Sequence, residues 1–474
     1  MRPPPSPADV GRAHGRVLVI GLDSVSPWLL FERFRPVMPN VRRLLERSRY
    51  GTLRSTDPPI TVPAWAVMFS GMDPGSLGLY GFRHRKPGRY WEMYTPSSRS
   101  PLEPMVWDRL SRAGRRVCVI GMPPGYPPPI LNGVAVSDFL TPASAKDIAS
   151  PPSAIDAIQR SAGGYEFDVS FRSDDRARIA DDLVRMTRKR FAVARDLWQR
   201  EPWDLLALHE IGPDRLHHTF WKFFDPTHPR YEENHELQDR VSEYYAILDR
   251  EIGALLDLVP ASVRILLVSD HGSQPMAGAF CINEWLIRRG YLTLNGSLPR
   301  AGTPLEETEV DWARTRAWGA GGYYARIFYN VRGREPHGSL GPDSVPDFEA
   351  TLRRELSEIP APDGGSLRVE SFTPRERYHE VRGDAPDLMV YFGGCSWRSA
   401  GTVGHGRLYL EENDTGPDDA VHSFDGIYSV SDPAEGAGRP GPPERIVDIG
   451  PTLLDLLGEP VPPGLHGRVI DGFR

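Results

Sequence analysis

Four short apolar runs, each ending on polar or acidic residues, constrain this chain more than any other feature. They are VLVIGLD at 17–23, VCVIGMP at 117–123, DLLALHE at 204–210 and RILLVSDH at 264–271. Strands covered on both faces read as continuous Val, Ile and Leu, so each run predicts a buried strand of a largely parallel sheet. Helical patterns lie between them, at Met38 to Leu45, Trp107 to Ala113, Asp182 to Trp198 and Glu236 to Leu258. Strand alternating with helix predicts a doubly wound α/β core. Such sheets bind ligands beyond the carboxyl ends of their strands. Here those ends deliver Asp23, the segment HEIGPDRLHH, and Asp270 with His271.

Two regions interrupt the pattern. One, at about 140–200, opens on the strand-poor TPASAKDIASPPSA; the other, 290–420, mixes Gly- and Pro-rich loops with strands such as YYARIFYN and DLMVYF. The expected organisation is a flexible tail over 1–15 and an α/β core from 16–289 and 421–474. The core carries the insertion at about 140–200, and 290–420 forms a cap-like region over the strand ends. The segment ERIVDIGPTLLDLLG returns to a helical pattern that packs on the core.

The 63 acidic and 56 basic residues leave a net charge of −7, too balanced for a generic binder of nucleic acid polymers. Cys118, Cys281 and Cys395 are widely spaced and form no CxxC, which argues against a disulfide framework and a thiolate zinc site. A metal here must be held by His, Asp and Glu, and thirteen histidines are available. The start MRPPPSPADVGRAHGR lacks the apolar stretch of a secretory signal, and no segment has the roughly 20 apolar residues of a membrane span. The expected location is the cytoplasm.

Several motifs bear chemistry. Asp270 and His271 sit where an apolar run ends, before Gly272, a place from which both side chains can turn toward one ion. Asp214 and His218 are four apart behind the helix-start signal Pro213, so they share a helical face; His217, three from Asp214, shares it too, and spacing leaves the choice open. In PPITVPAWAVMFSG, Pro63 suits a first helical turn, with Thr61 or Val62 at the cap. A threonine hydroxyl there lies beside free amides and the positive end of the helix dipole, although it also serves as an ordinary cap. Asp23, Asp270 and His271 make one three-ligand set beside Thr61. Asp214, one of the two histidines and His422 make a second. Such nitrogen and oxygen ligands suit Zn2+, and also Mn2+. Two such ions about 3.5–4 Å apart can clamp a phosphoryl group.

The segments VIGLDSVSP, MPNVRRLLERSRYGTLRSTDPPITVPAWAVMFSGMDPGSLGLYGF, PDRLHHTFWKFFDPTHPRY, LLVSDHGSQPM with FCINEWLIRRGYL, TRAWGAGGYYARIFYNVRGREPHG and IVDIGPTLLDLLGEPVPPGLHGRVI resemble the alkaline phosphatase superfamily. Within it they resemble the type I phosphodiesterase/nucleotide pyrophosphatase branch, in family order from 17 to 470. The resemblance implies an alkaline-phosphatase-like three-layer fold and a two-metal hydrolase. The resemblance also implies that Thr61 stands at the nucleophile position and would pass through a phosphothreonine. Asp23, Asp270 and His271 match the nucleophile-side ligands and Asp214, His218 and His422 the other set, which selects His218 over His217. TVPAW lacks the Cys and Arg of a sulfatase signature, and Ala64 stands where nucleotide pyrophosphatases place an Asn.

The basic segment GFRHRKPGR offers Arg83, Arg85 and Lys86 to attract an anionic substrate, or forms a solvated loop. Trp65, Trp221 and Trp318 read as buried aromatics. The function that follows is a metal-dependent phosphoester hydrolase acting on a small molecule, with diesters ahead of monoesters. The alternatives are a phosphomutase of the same superfamily and a non-catalytic phosphoester-binding protein.

Overall fold

A computed structural model describes residues 15–297, 299–431 and 438–473. The tail expected over 1–15 lies outside the described residues except for Gly15. All four apolar runs are strands: Val17–Leu22, Val117–Ile120, Leu205–Glu210 and Arg264–Val268. They lie side by side and parallel in a ten-stranded sheet, in the order Arg264–Val268, Val17–Leu22, Leu205–Glu210, Val117–Ile120. The antiparallel Asp425–Ser431 joins this block to Ser48–Arg54, making the sheet mixed.

The continuous apolar character of the runs has the expected cause. Leu18, Ile20, Leu206, Leu208 and Leu267 face one core cluster, and Val17, Val19, Leu205, Ala207 and Val268 face another. Helices Arg176–Arg200, Gly212–Phe224 and Gln238–Leu256 contribute to the first cluster; Thr61–Ser70, Val106–Arg112 and Ile449–Leu456 contribute to the second. Three layers result, with helices on both sheet faces.

The two layers meet closely at Gly21, where an added Cβ would lie 2.5 Å from Trp65 Cη2. Gly21→Ala therefore forces the fully buried Trp65 outward. We expect a loss of about 1–3 kcal/mol, read from the urea midpoint at unchanged m-value.

A second, seven-stranded sheet runs from Gly278–Cys281 to Tyr409–Leu410 and includes the expected strands Ala325–Tyr329 and Leu388–Phe392. It has its own core around Phe280, Trp318, Ile327, Leu352 and Val390. Two sequence boundaries shift. The second sheet already begins at Gly278, before 290, because Gly278–Cys281 pairs with Trp397–Ala400. Arg176–Arg200 lies inside the expected insertion at 140–200, yet it is a layer of the main core. Its stripe of Ile179, Leu183, Met186, Phe191 and Leu197 packs there while Arg178, Arg185, Arg188 and Arg200 face outward; Arg190 is buried.

Candidate active site

Sheet register assembles the site. Gly21 pairs with Val268 and Leu22 with Glu210, so Asp23 and Asp270, each two residues past the Gly21–Val268 pair, leave the sheet side by side. The neighbouring strand Leu205–Glu210 feeds directly into Gly212–Phe224, whose first turn holds Asp214 and whose second holds His218. His422 arrives from the opposite chain direction on Ala420–Ser423, which pairs antiparallel with Gly272–Pro275 and sets His422 against Ser273. Thr61 is the first residue of Thr61–Ser70, with Ile60 at the cap. All seven side chains belong to residues no more than 2% exposed.

Each carboxylate has one oxygen fixed and the other free. Asp23 Oδ2 accepts from Trp65 Nε1 at 2.9 Å and lies 2.7 Å from His209 Nε2. Asp270 Oδ1 accepts the Ser24 N–H at 3.2 Å. Asp214 Oδ2 accepts from Arg215 Nη1 at 2.7 Å, and Arg215 is also held by Asp168. Asp23 Oδ1, Asp270 Oδ2, Asp214 Oδ1 and His422 Nε2 are buried without any hydrogen-bond partner. Buried polar atoms are rarely left unsatisfied, and these four turn inward on one volume. His271 Nε2 is 3.6 Å from Asp23 Oδ1 and 3.1 Å from Asp270 Oδ2; Asp214 Oδ1 is 3.3 Å from His218 Nε2 and 3.5 Å from His422 Nε2.

The three histidines share one arrangement. Nδ1–H donates from His271 to the Gly272 carbonyl at 3.1 Å, from His422 to the Pro59 carbonyl at 2.9 Å, and from His218 to Asp418 Oδ1 at 2.6 Å. An acceptor at Nδ1 fixes the ring so that Nε2 presents its lone pair, the tautomer of a metal-ligating imidazole. His217 differs: its Nδ1 meets the Ser273 hydroxyl at 2.9 Å and its Nε2 the Tyr245 hydroxyl at 2.7 Å, so both nitrogens are used in the core. The donor set therefore fits divalent cations. Asp214, His218 and His422 form one group with ligand atoms within 4.8 Å of one another, and Asp23, Asp214 and His271 form another. Asp270 adjoins the second through His271. The difference from the expected two sets of three is that Asp214 lies in both groups.

Electrostatics agree with this reading. Burial, reinforced by the charge of Asp214, pushes the Asp23 carboxyl up to about 7; burial and Asp23 push Asp270 well above the usual carboxylate range. Burial opposes ionisation of Asp214 as well, but His218, His422 and Arg215 outweigh it and hold that group well below its ordinary value. Burial, then the neighbouring His422, takes His271 down to about 3. Burial opposes protonation of His218, but Asp418 and Asp214 outweigh it and hold that imidazole well above its ordinary value; three converging buried acids still need more positive charge, which divalent cations supply.

Thr61 Oγ1 lies 3.3 Å from His271 Nε2, and no side-chain capping bond is made at the start of its helix. Its hydroxyl is thus directed at the cluster rather than spent on capping. Ala64 packs in the apolar core and brings no polar group to the site.

Several contributors carry no sequence signal of their own. His209 and Trp65 hold Asp23. Tyr323, from the second-sheet region, stacks its ring on His422 at 3.8 Å and places its hydroxyl 3.1 Å from His218 Nε2. Asp418 fixes His218 and is itself held by Arg398 at 2.9 Å. Its place four residues before His422, in DDAVH, was the one available hint. Asp418→Asn keeps the volume but turns an acceptor into a mixed group facing His218 Nδ1. A fall of about 10–100-fold in metal affinity is expected by competition with a chelator.

The basic candidates are placed differently. Arg85 is buried and makes two hydrogen bonds to Glu335, at 2.9 and 3.1 Å, beneath Trp318 and Phe328. Its charge is therefore committed within the second-sheet region. Lys86 is exposed and pairs with Glu92 at 3.3 Å; Arg83 is exposed. Trp65, Trp221 and Trp318 are buried in the cores, as expected.

Comparison with known proteins bears on this arrangement. The sequence model of the type I phosphodiesterase / nucleotide pyrophosphatase family matches residues 17–418. No curated protein sequence matches the chain. Among solved structures, phosphonoacetate hydrolase from Sinorhizobium meliloti 1021, in complex with phosphonoformate, is similar with a TM-score of 0.61 at 15% identity, covering 94% of this chain and 97% of that one. An inactive threonine-to-alanine variant of murine ectonucleotide pyrophosphatase / phosphodiesterase 5, in complex with AMP, is similar with a TM-score of 0.55 at 13% identity, covering 95% and 96%. No helix among the described residues is long and apolar enough to cross a membrane.

Proposed function

Since the chain belongs to the type I phosphodiesterase / nucleotide pyrophosphatase family of the alkaline phosphatase superfamily, and is therefore a phosphoric ester hydrolase, we propose that it cleaves small phosphodiesters through a covalent phosphothreonine at Thr61. The observation that carries this reading is the convergence of orphaned buried ligand atoms beside a threonine hydroxyl that has no capping role.

Asp23, Asp270 and His271 would hold one divalent ion and Asp214, His218 and His422 a second, zinc suiting the donor set best and manganese also fitting it. When bound, such ions supply charge that favours an alkoxide nucleophile and stabilises a leaving oxygen. The remaining work belongs to the chain. Thr61 Oγ forms the new bond to phosphorus as the ester P–O bond breaks, the hydroxyl proton ending on the departing alcohol; water then breaks the Thr61–phosphorus bond, its oxygen going to phosphorus and a proton back to Thr61, to release the phosphate monoester. The start of Thr61–Ser70 directs backbone amides and the positive end of the helix toward the phosphoryl oxygens. Trp65 and His209 hold Asp23, and Asp418 holds His218, so that ligand geometry is set before substrate arrives. That inactivity accompanies loss of a threonine in the murine neighbour supports the nucleophile assignment.

The test is hydrolysis of bis-p-nitrophenyl phosphate and p-nitrophenyl phosphate in 18O-labelled water. Faster turnover of the diester, with solvent oxygen in the phosphate-containing product, is the expected result. Transfer to a second hydroxyl without solvent oxygen would instead identify a phosphomutase.

A further inference from the structure

Two hydroxyls reach the ligand cluster from opposite ends. Three rings stack there in a row: His271 lies on His422 with centroids 3.8 Å and planes 20° apart, and Tyr323 lies on His422 at 3.8 Å and 26°. Two rings that each stack this closely on a third must take its opposite faces, because one face has room for one ring. His271 therefore stands at one end of the row and Tyr323 at the other. Thr61 Oγ1 is at the first end, 3.3 Å from His271 Nε2; the Tyr323 hydroxyl is at the second, 3.1 Å from His218 Nε2. Several contacts hold the half-buried Tyr323 in this place. Gly322, at a φ of 141°, pairs antiparallel with Ser399: its N–H donates to the Ser399 carbonyl at 2.8 Å, and its carbonyl accepts the Ser399 N–H at 2.9 Å. Gly321 has no room for a side chain, since an added Cβ would lie 2.5 Å from the Gly401 nitrogen. The Arg398 guanidinium sits over the Tyr323 ring, 4.3 Å from its centroid, and is tied in turn to Asp418. The next residue, Tyr324, shows the purely structural alternative: it is buried, and its hydroxyl donates to the Tyr80 carbonyl, joining the second-sheet region to the main core. Tyr323, its ring held by His422 and Arg398, directs its hydroxyl at a candidate ligand atom instead.

We propose that Tyr323 is a catalytic residue, whose hydroxyl donates a hydrogen bond to the leaving ester oxygen; the assignment rests on the phosphodiester hydrolysis proposed for Thr61. In an in-line displacement the attacking and leaving oxygens lie on opposite sides of phosphorus. Thr61 attacks from the His271 end, so the leaving oxygen faces the end formed by His218, His422 and Tyr323. When His218 Nε2 is given to a cation, the phenol loses that partner and its O–H is free for an oxygen of the substrate. Negative charge grows on the leaving oxygen as the P–O bond breaks, so a fixed donor there favours the transition state over the ground state. Tyr323 keeps its own proton throughout. Its place in the second-sheet region makes that region part of the active site and not only a cover over it.

The test compares the full-length wild type with Tyr323→Phe, which keeps the stacked ring and removes the hydroxyl. Two diesters with different leaving groups are used: methyl p-nitrophenyl phosphate, whose p-nitrophenolate leaves with little help, and methyl phenyl phosphate, whose phenolate is more basic. In the variant, kcat/KM should fall about 10-fold on the first ester and about 100-fold on the second. Metal content by mass spectrometry and the melting temperature should match those of the wild type. No loss, or an equal loss on both esters, would overturn the assignment. So would a loss of activity accompanied by a loss of metal, which would make Tyr323 a support of the ligands. Failure of this assignment alone appears in the variant while the wild type is active; a wild type that hydrolyses neither ester would overturn the hydrolase reading, and the role of Tyr323 with it.

Discussion

Thr61→Ala should abolish turnover, by at least about 10³-fold in kcat/KM, while leaving the metal content and melting temperature close to those of the wild type. The reasoning has three parts. First, the hydroxyl stands at the start of Thr61–Ser70 and faces the ligand cluster, 3.3 Å from His271 Nε2. Second, the side chain contributes little to folding: it makes no capping bond, and alanine is well tolerated in a first helical turn. Third, the candidate ligands are carboxylates and imidazoles already held by their own partners, so loss of the Thr61 hydroxyl leaves that framework in place. Thr61→Ser, which retains a hydroxyl at the same position, should recover a measurable fraction of the activity. Wild-type turnover in Thr61→Ala would remove the nucleophile from the mechanism, whereas loss of activity together with loss of metal would make Thr61 a structural support of the site.

Much of this site is legible in the chain because the strands that carry it are buried on both faces. Val17–Leu22 and Arg264–Val268 announce themselves by apolar continuity, and the residues that break that continuity, Asp23, Asp270 and His271, are the ones at the strand ends. Asp214 is legible for a local reason, the helix start at Pro213. Other parts leave no such trace. Ser48–Arg54 pairs with Asp425–Ser431 near one edge of the sheet, but its sequence SRYGTLR is mostly polar and half-buried, so neither apolar continuity nor strict alternation marks it. Asp418, His209 and Tyr323 matter through contacts with Asp23, His218 and His422 that cross long stretches of chain, 186 residues in the case of His209 and Asp23. Apart from the place of Asp418 in DDAVH, their sequence neighbourhoods say nothing of those partners. Arg85 shows the converse. It reads as a free cation in a basic loop, yet the fold brings Glu335 to it across 250 residues and buries the pair. Long-range pairing of this kind decides whether a charge is available, and it depends on tertiary structure rather than on spacing. The choice between His217 and His218 belongs to the same class. Both lie on the helical face of Asp214, and only the Tyr245 and Ser273 hydroxyls reveal that His217 is fully occupied.

Asp214→Ala should cost both metal and activity, and so separates ligand loss from nucleophile loss. Its free oxygen, Oδ1, faces His218 and His422 at 3.3 and 3.5 Å, and the same residue groups with Asp23 and His271 on the other side. No other candidate ligand belongs to both groups. Truncation leaves the group of His218 and His422 with two imidazoles and no carboxylate, a donor set that binds divalent cations far more weakly. The metal content should fall by about one ion per chain, and turnover by more than the roughly 10–100-fold expected for a residue acting only through a ligand, such as Asp418. Folding should survive, because Arg215 keeps its two hydrogen bonds to Asp168 at 2.7 and 2.8 Å and is not stranded when Asp214 is removed. Asp214→Asn provides the size-matched control. It fills the same space with a weaker ligand, so it should retain the fold yet still bind less metal than the wild type. Full metal content in both variants would show that Asp214 serves only to pair Arg215. In that event the carboxylate ligand of the group with His271 would be Asp23, at the end of Val17–Leu22.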